Sequence, residues 1–276
     1  METLMMRGKP VAEALREKIE KKIEIAKAKG KIITLAILTV GNDAASHVYK
    51  NRLIKLAESL GAEAKTVELA ETSTQEEVET AIKNLNADEN ITGILPMMPL
   101  PKHLDGDIVG SFIAPEKDMD CLNPSNVGNL YLGHNLWAPC TPRACMATLD
   151  YYGIELKGKN VVVLGRSNVV GKPVGLLLLN KHATVTICHS RTVDLTKILQ
   201  QADIVVAAIG VANFVKPEMV KDGVVIVDVG INATDNGLCG DVASEVAQKA
   251  SAFTPVPGGI GVVSNMMVME TLTRNL

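Results

Sequence analysis

Aliphatic and β-branched runs alternate along this chain with segments whose apolar residues recur every three or four positions. Val11–Lys29 has helical spacing with interleaved charges and stops at Gly30, which predicts an amphipathic helix. Ile32–Val40 predicts a strand, Gly41-Asn42-Asp43 a turn, and Ala44–Leu60 a helix ended by Gly61. Ala64–Leu69 predicts a strand. Thr74–Leu85 follows as a helix, capped by Thr72 or Ser73, with Glu76 and Glu77 near its positive end. Ile91–Leu95 is a strand closed by the proline-rich run Pro96–Pro101. From Asp105 to Pro142 the chain is rich in Gly, Pro and Asn and loses periodicity, as functional or connecting segments do. Helices are then predicted at Pro142–Tyr152, Val174–Leu179, Asp194–Gln201 and Val262–Asn275. The intervening strands are Val161–Leu164, Ala183–Ile187, Asp203–Ala208 and Val224–Val229. Strands alternating with helices predict an α/β architecture with a mostly parallel sheet, and 276 residues suffice for two modest domains.

The segment Asn160–Thr192 organises the rest. Strand, glycine turn, proline-opened helix and second strand follow within it, which is a βαβ unit. Such a turn holds a nucleotide pyrophosphate at a helix N-terminus. The glycines are spaced G-x5-G (Gly165, Gly171), so the usual dinucleotide fingerprint is absent. The end of the second strand carries no carboxylate to hold ribose hydroxyls before Asp194. It offers His189, Ser190 and Arg191 instead, with Arg166 inside the turn. A hydroxyl and planar cations suit a 2′-phosphate, so NADP is expected rather than NAD.

Composition narrows the partners. Lys+Arg 28 against Asp+Glu 31 leaves a net charge of -3, and aromatic residues are 3%. Neither a basic patch nor stacking platforms for nucleic acid are expected. No segment approaches a membrane span or a signal peptide. The five cysteines (Cys121, Cys140, Cys145, Cys188, Cys239) form no C-x-x-C pair, which predicts reduced thiols in a cytoplasmic protein without a metal site.

Several runs together resemble the methylenetetrahydrofolate dehydrogenase/methenyltetrahydrofolate cyclohydrolase family. They are Gly165-Arg166-Ser167-x-x-Val170-Gly171-x-Pro173, Thr254–Gly261, Lys117-Asp118-Met119-Asp120, Pro139-Cys140-Thr141-Pro142 and Ser46-x-x-Tyr49. The resemblance implies an N-terminal α/β catalytic domain (1–143), a C-terminal Rossmann-like NADP domain (144–261), and a last helix (262–276) that returns to the first. It implies a folate site in the cleft between them, one-carbon derivatives of tetrahydrofolate as substrates, and a homodimer. Tyr49 resembles the tyrosine that stacks on the pterin. Asp120 resembles the aspartate that binds the pterin's amino-pyrimidine edge. Met97, Pro99, Pro257, Gly258 and Gly259 belong by resemblance to the substrate loops. Gly165, Arg166, Ser167, Val170, Gly171, Pro173, His189, Ser190, Arg191 and Ile231 belong to the cofactor site.

Two departures bear on the chemistry. The family lysine four residues after the tyrosine is Leu53, and the glutamine of the proline-rich loop is Met97. Lys50 and Lys55 point roughly 100–120° away from the Tyr49 face. Arg52 faces it, and places a positive charge there, but stays protonated and cannot act as a base. Hydride transfer from the bridging methylene leaves a delocalised amidinium and removes no proton, so alignment can suffice. Hydrolysis of that cation needs protons moved, where a positioned acid–base group contributes about 10²–10⁴-fold. The expectation is therefore an NADP-dependent dehydrogenase with weak or absent cyclohydrolase. The alternatives are the full bifunctional enzyme, a non-catalytic folate- or nucleotide-binding protein, and a dehydrogenase for another small substrate. Smaller departures are Ala144, Val262-Val263-Ser264, and Cys121-Leu122-Asn123-Pro124 in place of Gly-Phe-His-Pro.

Overall fold

The computed structural model describes residues 2–134, 137–235, 237–274 and 276. In chain order the elements are β1 (Leu4–Met5), α1 (Gly8–Ala28), β2 (Thr34–Val40), α2 (Ala44–Ser59), β3 (Glu63–Leu69), α3 (Gln75–Ala87) and β4 (Gly93–Pro96). Next come α4 (Gly106–Ser111), α5 (Pro124–Tyr131), α6 (Cys140–Tyr151), β5 (Asn160–Leu164), α7 (Gly171–Asn180), β6 (Thr184–Cys188) and α8 (Leu195–Leu199). The chain closes with β7 (Ile204–Ala207), β8 (Val225–Asp228), β9 (Asn232–Thr234), β10 (Gly237–Cys239), β11 (Ala252–Phe253) and α9 (Ile260–Leu272). By contacts it divides into two compact units, 14–132 with 268–276 and 1–13 with 133–267.

The first unit holds a three-stranded sheet in the order β3-β2-β4, parallel throughout. β2 is central and almost wholly buried, as its unbroken aliphatic run requires, whereas edge strand β3 alternates polar and apolar positions. Ala36 and Leu38 pack with Val78, Ile82 and Leu85 of α3. That helix starts from a capping box in which Thr74, rather than Thr72 or Ser73, receives the Glu77 amide and Glu77 reaches back to the Thr74 amide.

The second unit holds a six-stranded parallel sheet in the order β1-β11-β8-β7-β5-β6. Its central strands β5, β7 and β8 bury Val161–Leu164, Ile204–Ala207 and Val225–Asp228. Strand order reverses between β5 and β7, because β6 follows β5 on one side and β7 lies on the other.

Some elements escape sequence reading. β1 and β11 are two residues each, and β9 and β10 form a short antiparallel hairpin. The aperiodic stretch after Asp105 contains α4, a 3₁₀ turn at Pro115–Lys117 and α5, with Asp105 and Asn123 as side-chain caps. The last helix begins at Ile260 and ends at Leu272; of its expected span, Asn275 lies outside the described residues.

Candidate functional site

A reversal of strand order opens a crevice at the carboxyl ends of the two strands concerned. In the second unit a cleft of about 590 Å³ lies there, lined by Leu164 to Ser167 after β5, Cys188 to Ser190 and Thr192 after β6, and Ala208, Ile209, Val211 and Phe214 after β7, with Leu195. Gly165 is required: its φ is 112°, and a Cβ would run into the Ala208 carbonyl oxygen. The next turn is tied by one side chain. Ser167 Oγ accepts the Val170 and Gly171 amides at 3.1 and 3.3 Å, and the Ser167 carbonyl accepts the Lys172 amide at 3.1 Å. The first amides of α7 are thus satisfied internally, and Pro173, buried in its first turn, has none to offer. What this segment offers an anion is therefore the turn before the helix, with the exposed Arg166 and Ser167, more than the amides of the helix N-terminus.

After β6, the His189 amide donates to Thr192 Oγ1 at 2.8 Å and the Arg191 amide donates to His189 Nδ1 at 3.1 Å. This loop presents Ser190 to the cleft and leaves Arg191 exposed beside it. Of the expected cofactor residues, Gly165, Arg166, Ser167, His189 and Ser190 line the cleft. Val170, Gly171 and Pro173 build its capping turn, and Ile231, 64% exposed after β8, is not among the lining residues. Sequence reading missed the wall after β7; the strand-order rule, once β7 is placed, would have found it.

The first unit has its own reversal, between β2 and β4. Tyr49, half-buried on α2, follows the carboxyl end of β2, and Met97 follows that of β4, its amide donating to the Leu38 carbonyl at 2.8 Å. The segment after the 3₁₀ turn touches this edge: Asp118 bridges in parallel to Ile94 of β4, and Asp120 follows two residues later in a bend. Within the Lys-Asp-Met-Asp run the residues divide their work. Lys117 Nζ donates to the carbonyls of Leu85, Asn86 and Asp88. The buried Asp118 carboxylate accepts the amides of Asp120, Leu122 and Asn123 and the Asn126 side chain. Asp120 is held by these two and stays half-buried. Cys121, where the family has glycine, sits at φ 56°, a left-handed conformation costing roughly 1–2 kcal/mol for a residue with a Cβ. Burial, then the charges of Asp118 and Asp120, push its thiol up to about 12, so it stays protonated.

Leu53 is 0% exposed and Met97 5% exposed, so both are packed rather than displayed. Lys50, buried on α2, is committed to Glu68 of β3, and that hydrogen bond, reinforced by the lysine charge, lowers the Glu68 pKa. Arg52 is exposed one turn after Tyr49, and Pro99 is exposed in the loop after β4. Pro257, Gly258 and Gly259 lie in the second unit, between β11 and α9, where the Gly258 carbonyl accepts the Gly8 amide at 2.8 Å. No helix is long and apolar enough to cross a membrane, among the described residues.

Comparison with known proteins covers both units. The model of the tetrahydrofolate dehydrogenase/cyclohydrolase catalytic domain matches residues 6–120, and that of the NAD(P)-binding domain of the same family matches 139–276. The Bifunctional protein FolD of Clostridium kluyveri is 45% identical over 270 residues, 97% of this chain and 95% of its own. The bifunctional FolD structure from Campylobacter jejuni superposes with a TM-score of 0.96 at 39% identity, covering 98% of this chain and 97% of that one. The Trypanosoma brucei methylenetetrahydrofolate dehydrogenase-cyclohydrolase, a complex with NADP cofactor and inhibitor, gives 0.93 at 37% identity, with 99% and 97% covered. Two of these relatives are described as bifunctional and the third as a dehydrogenase-cyclohydrolase, which favours the full two-step alternative over the weak-cyclohydrolase expectation drawn from Leu53 and Met97. With two family models matched along most of its length, this chain belongs to the tetrahydrofolate dehydrogenase/cyclohydrolase family.

Proposed function

We propose that this protein oxidises 5,10-methylenetetrahydrofolate to the methenyl form with NADP⁺ and hydrolyses the product to 10-formyltetrahydrofolate, as a cytoplasmic homodimer of one-carbon metabolism. The similarity to bifunctional relatives across both family segments carries the reading. We assign the nucleotide to residues 144–261 and the folate to residues 1–143 with the last helix. The cleft after β5 and β7 fits a dinucleotide in size and chemistry: a close backbone turn, hydroxyls from Ser167 and Ser190, and the Arg166 guanidinium. Arg191, beside Ser190, supplies the cation for a 2′-phosphate. NADP, when bound, supplies the hydride acceptor. The chain's own contribution is positional: Tyr49 offers a ring face to the pterin, and Asp120 accepts from its amino-pyrimidine edge. Arg52 adds a positive charge to the folate side.

A second reading is favoured by one observation: Leu53 and Met97 are packed in the interior, so neither position offers water an acid or base. It gives the same dehydrogenase with a weak hydrolytic step. Paired assays separate the two, following NADP⁺ reduction with methylenetetrahydrofolate and decay of added methenyltetrahydrofolate above the buffer rate. The bifunctional reading expects fast decay from the wild type and little gain from Leu53→Lys with Met97→Gln. Decay at the buffer rate, rising about 10²-fold in the double variant, would establish the second reading instead. No NADP⁺ reduction at all would reject both.

A further inference from the structure

The wall of the cleft formed after β7 depends on a carboxylate that lies outside it. Asp241 is 0% exposed and takes the amides of three consecutive residues: Ile209 at 2.6 Å, Gly210 at 2.9 Å and Val211 at 2.9 Å. Its remaining acceptance goes to the Asn232 side chain at 2.9 Å, which ties down the residue after Ile231. The aspartate is itself fixed. Its amide donates to Asp228 Oδ1 at 2.9 Å, its carbonyl accepts the Val215 amide at 3.0 Å, and the next residue, Val242, donates to Asp228 Oδ2 at 2.9 Å. Two glycines make room for this stack. A Cβ on Gly230 would strike the Asp241 carboxylate, and one on Gly240 would strike that of Asp228.

We infer that Asp241 is a positioning residue for the dinucleotide, a role that rests on reading the cleft as the NADP site. By consuming the amides of residues 209–211, it turns that segment's polar edge away from the ligand. What faces the cleft is then the apolar side chains of Ile209, Val211 and Phe214. An apolar wall opposite the Arg166 and Ser190 side suits a flat ring of the nucleotide, with the phosphates on the cationic side. A carboxylate suits the three converging donors because it accepts only; an amide would turn a donor toward one of them.

The test uses the full chain and NADP itself as probe. Asp241→Asn should weaken NADP binding roughly tenfold, as loss of about one charge-assisted hydrogen bond converts, and leave the KM for methylenetetrahydrofolate within about twofold. Asp203→Asn is the structural control. Asp203 accepts from the Asn160 amide and Lys221 at the opposite end of the same sheet, so its loss should lower the melting temperature without moving NADP affinity. Asn232→Ala removes one donor and keeps the carboxylate; it should weaken NADP about threefold, and it serves if Asp241→Asn does not fold. Wild-type affinity in both Asp241→Asn and Asn232→Ala would overturn the role. So would weakening in Asp203→Asn equal to that in Asp241→Asn. A wild type that binds no NADP would instead overturn the reading of the cleft, and the positioning of the nucleotide with it.

Discussion

The turns after β2 and β5 begin alike, each leaving a central parallel strand where strand order reverses and each running into a helix. They then diverge at the cap. After β2, Asp43 caps α2 with its carboxylate, accepting the Ser46 amide at 2.7 Å. After β5, the neutral hydroxyl of Ser167 accepts the Val170 and Gly171 amides where the turn enters α7, and Arg166 stands beside it. A carboxylate already occupies the positive end of the first helix, so an anion gains nothing there; the turn before the second helix carries a cation and hydroxyls and no such opposing charge. Topology chooses where a ligand goes, and the cap chooses its charge. Under the proposed assignment, the first crevice would take a ring system whose N–H edge meets Asp120, and the second the phosphates.

The widest separation between the two crevices should come from Asp120→Ala. It should lower kcat/KM for methylenetetrahydrofolate by about 10²-fold, the loss of roughly two hydrogen bonds to a charged acceptor, with NADP affinity unchanged in direct binding. Equal damage to both ligands would break the division. Arg191→Ala is the mirror experiment, expected to weaken NADP about tenfold while NAD moves by less than about twofold. If NAD falls equally, the guanidinium is not reading a 2′-phosphate. The turns give a finer contrast: Asp43→Ala removes a cap and Ser167→Ala two turn hydrogen bonds, so each should cost about 1 kcal/mol in denaturant unfolding, but only the second should also weaken NADP. The smallest effect concerns acid. A hydrogen bond from Lys221, then one from the Asn160 amide, hold the Asp203 pKa below its ordinary value of 3.8. A lowered carboxyl contributes stability above pH 3.8 and loses it as pH falls through the folded pKa. The difference in stability between wild type and Asp203→Asn, under about 1 kcal/mol near neutrality for so exposed a pair, should vanish in strong acid.

How much of this was legible in the sequence depends on where each residue's partners lie. The β5-α7-β6 unit was readable because strand, glycine turn and helix are contiguous and each has its own periodicity. β1 and β11 were not, since two residues carry no period and pair only with chain far away in sequence. α4 and α5 were hidden for a related reason. Their caps, Asp105 and Asn123, were visible, but six and eight residues are too few for an apolar stripe to show. The site divided similarly. Gly165 and Ser190 could be named from local spacing, and Ser167 through the family resemblance. Asp118 and Asp241 could not, because a carboxylate bound to backbone amides leaves no trace in the partner's side chains; Ile209 and Asp241 are 32 positions apart.

Lys117 shows how far such a dependence reaches. Its ammonium gathers the last carbonyls of α3, groups that a helix end otherwise leaves to water, and the chain then passes directly into Asp118 and Asp120. The loop that carries Asp118 and Asp120 is therefore hung from the end of a helix more than two dozen residues upstream. Acetylating that amine, or trimming α3 by a turn, would slacken the loop while leaving Asp118 and Asp120 chemically intact.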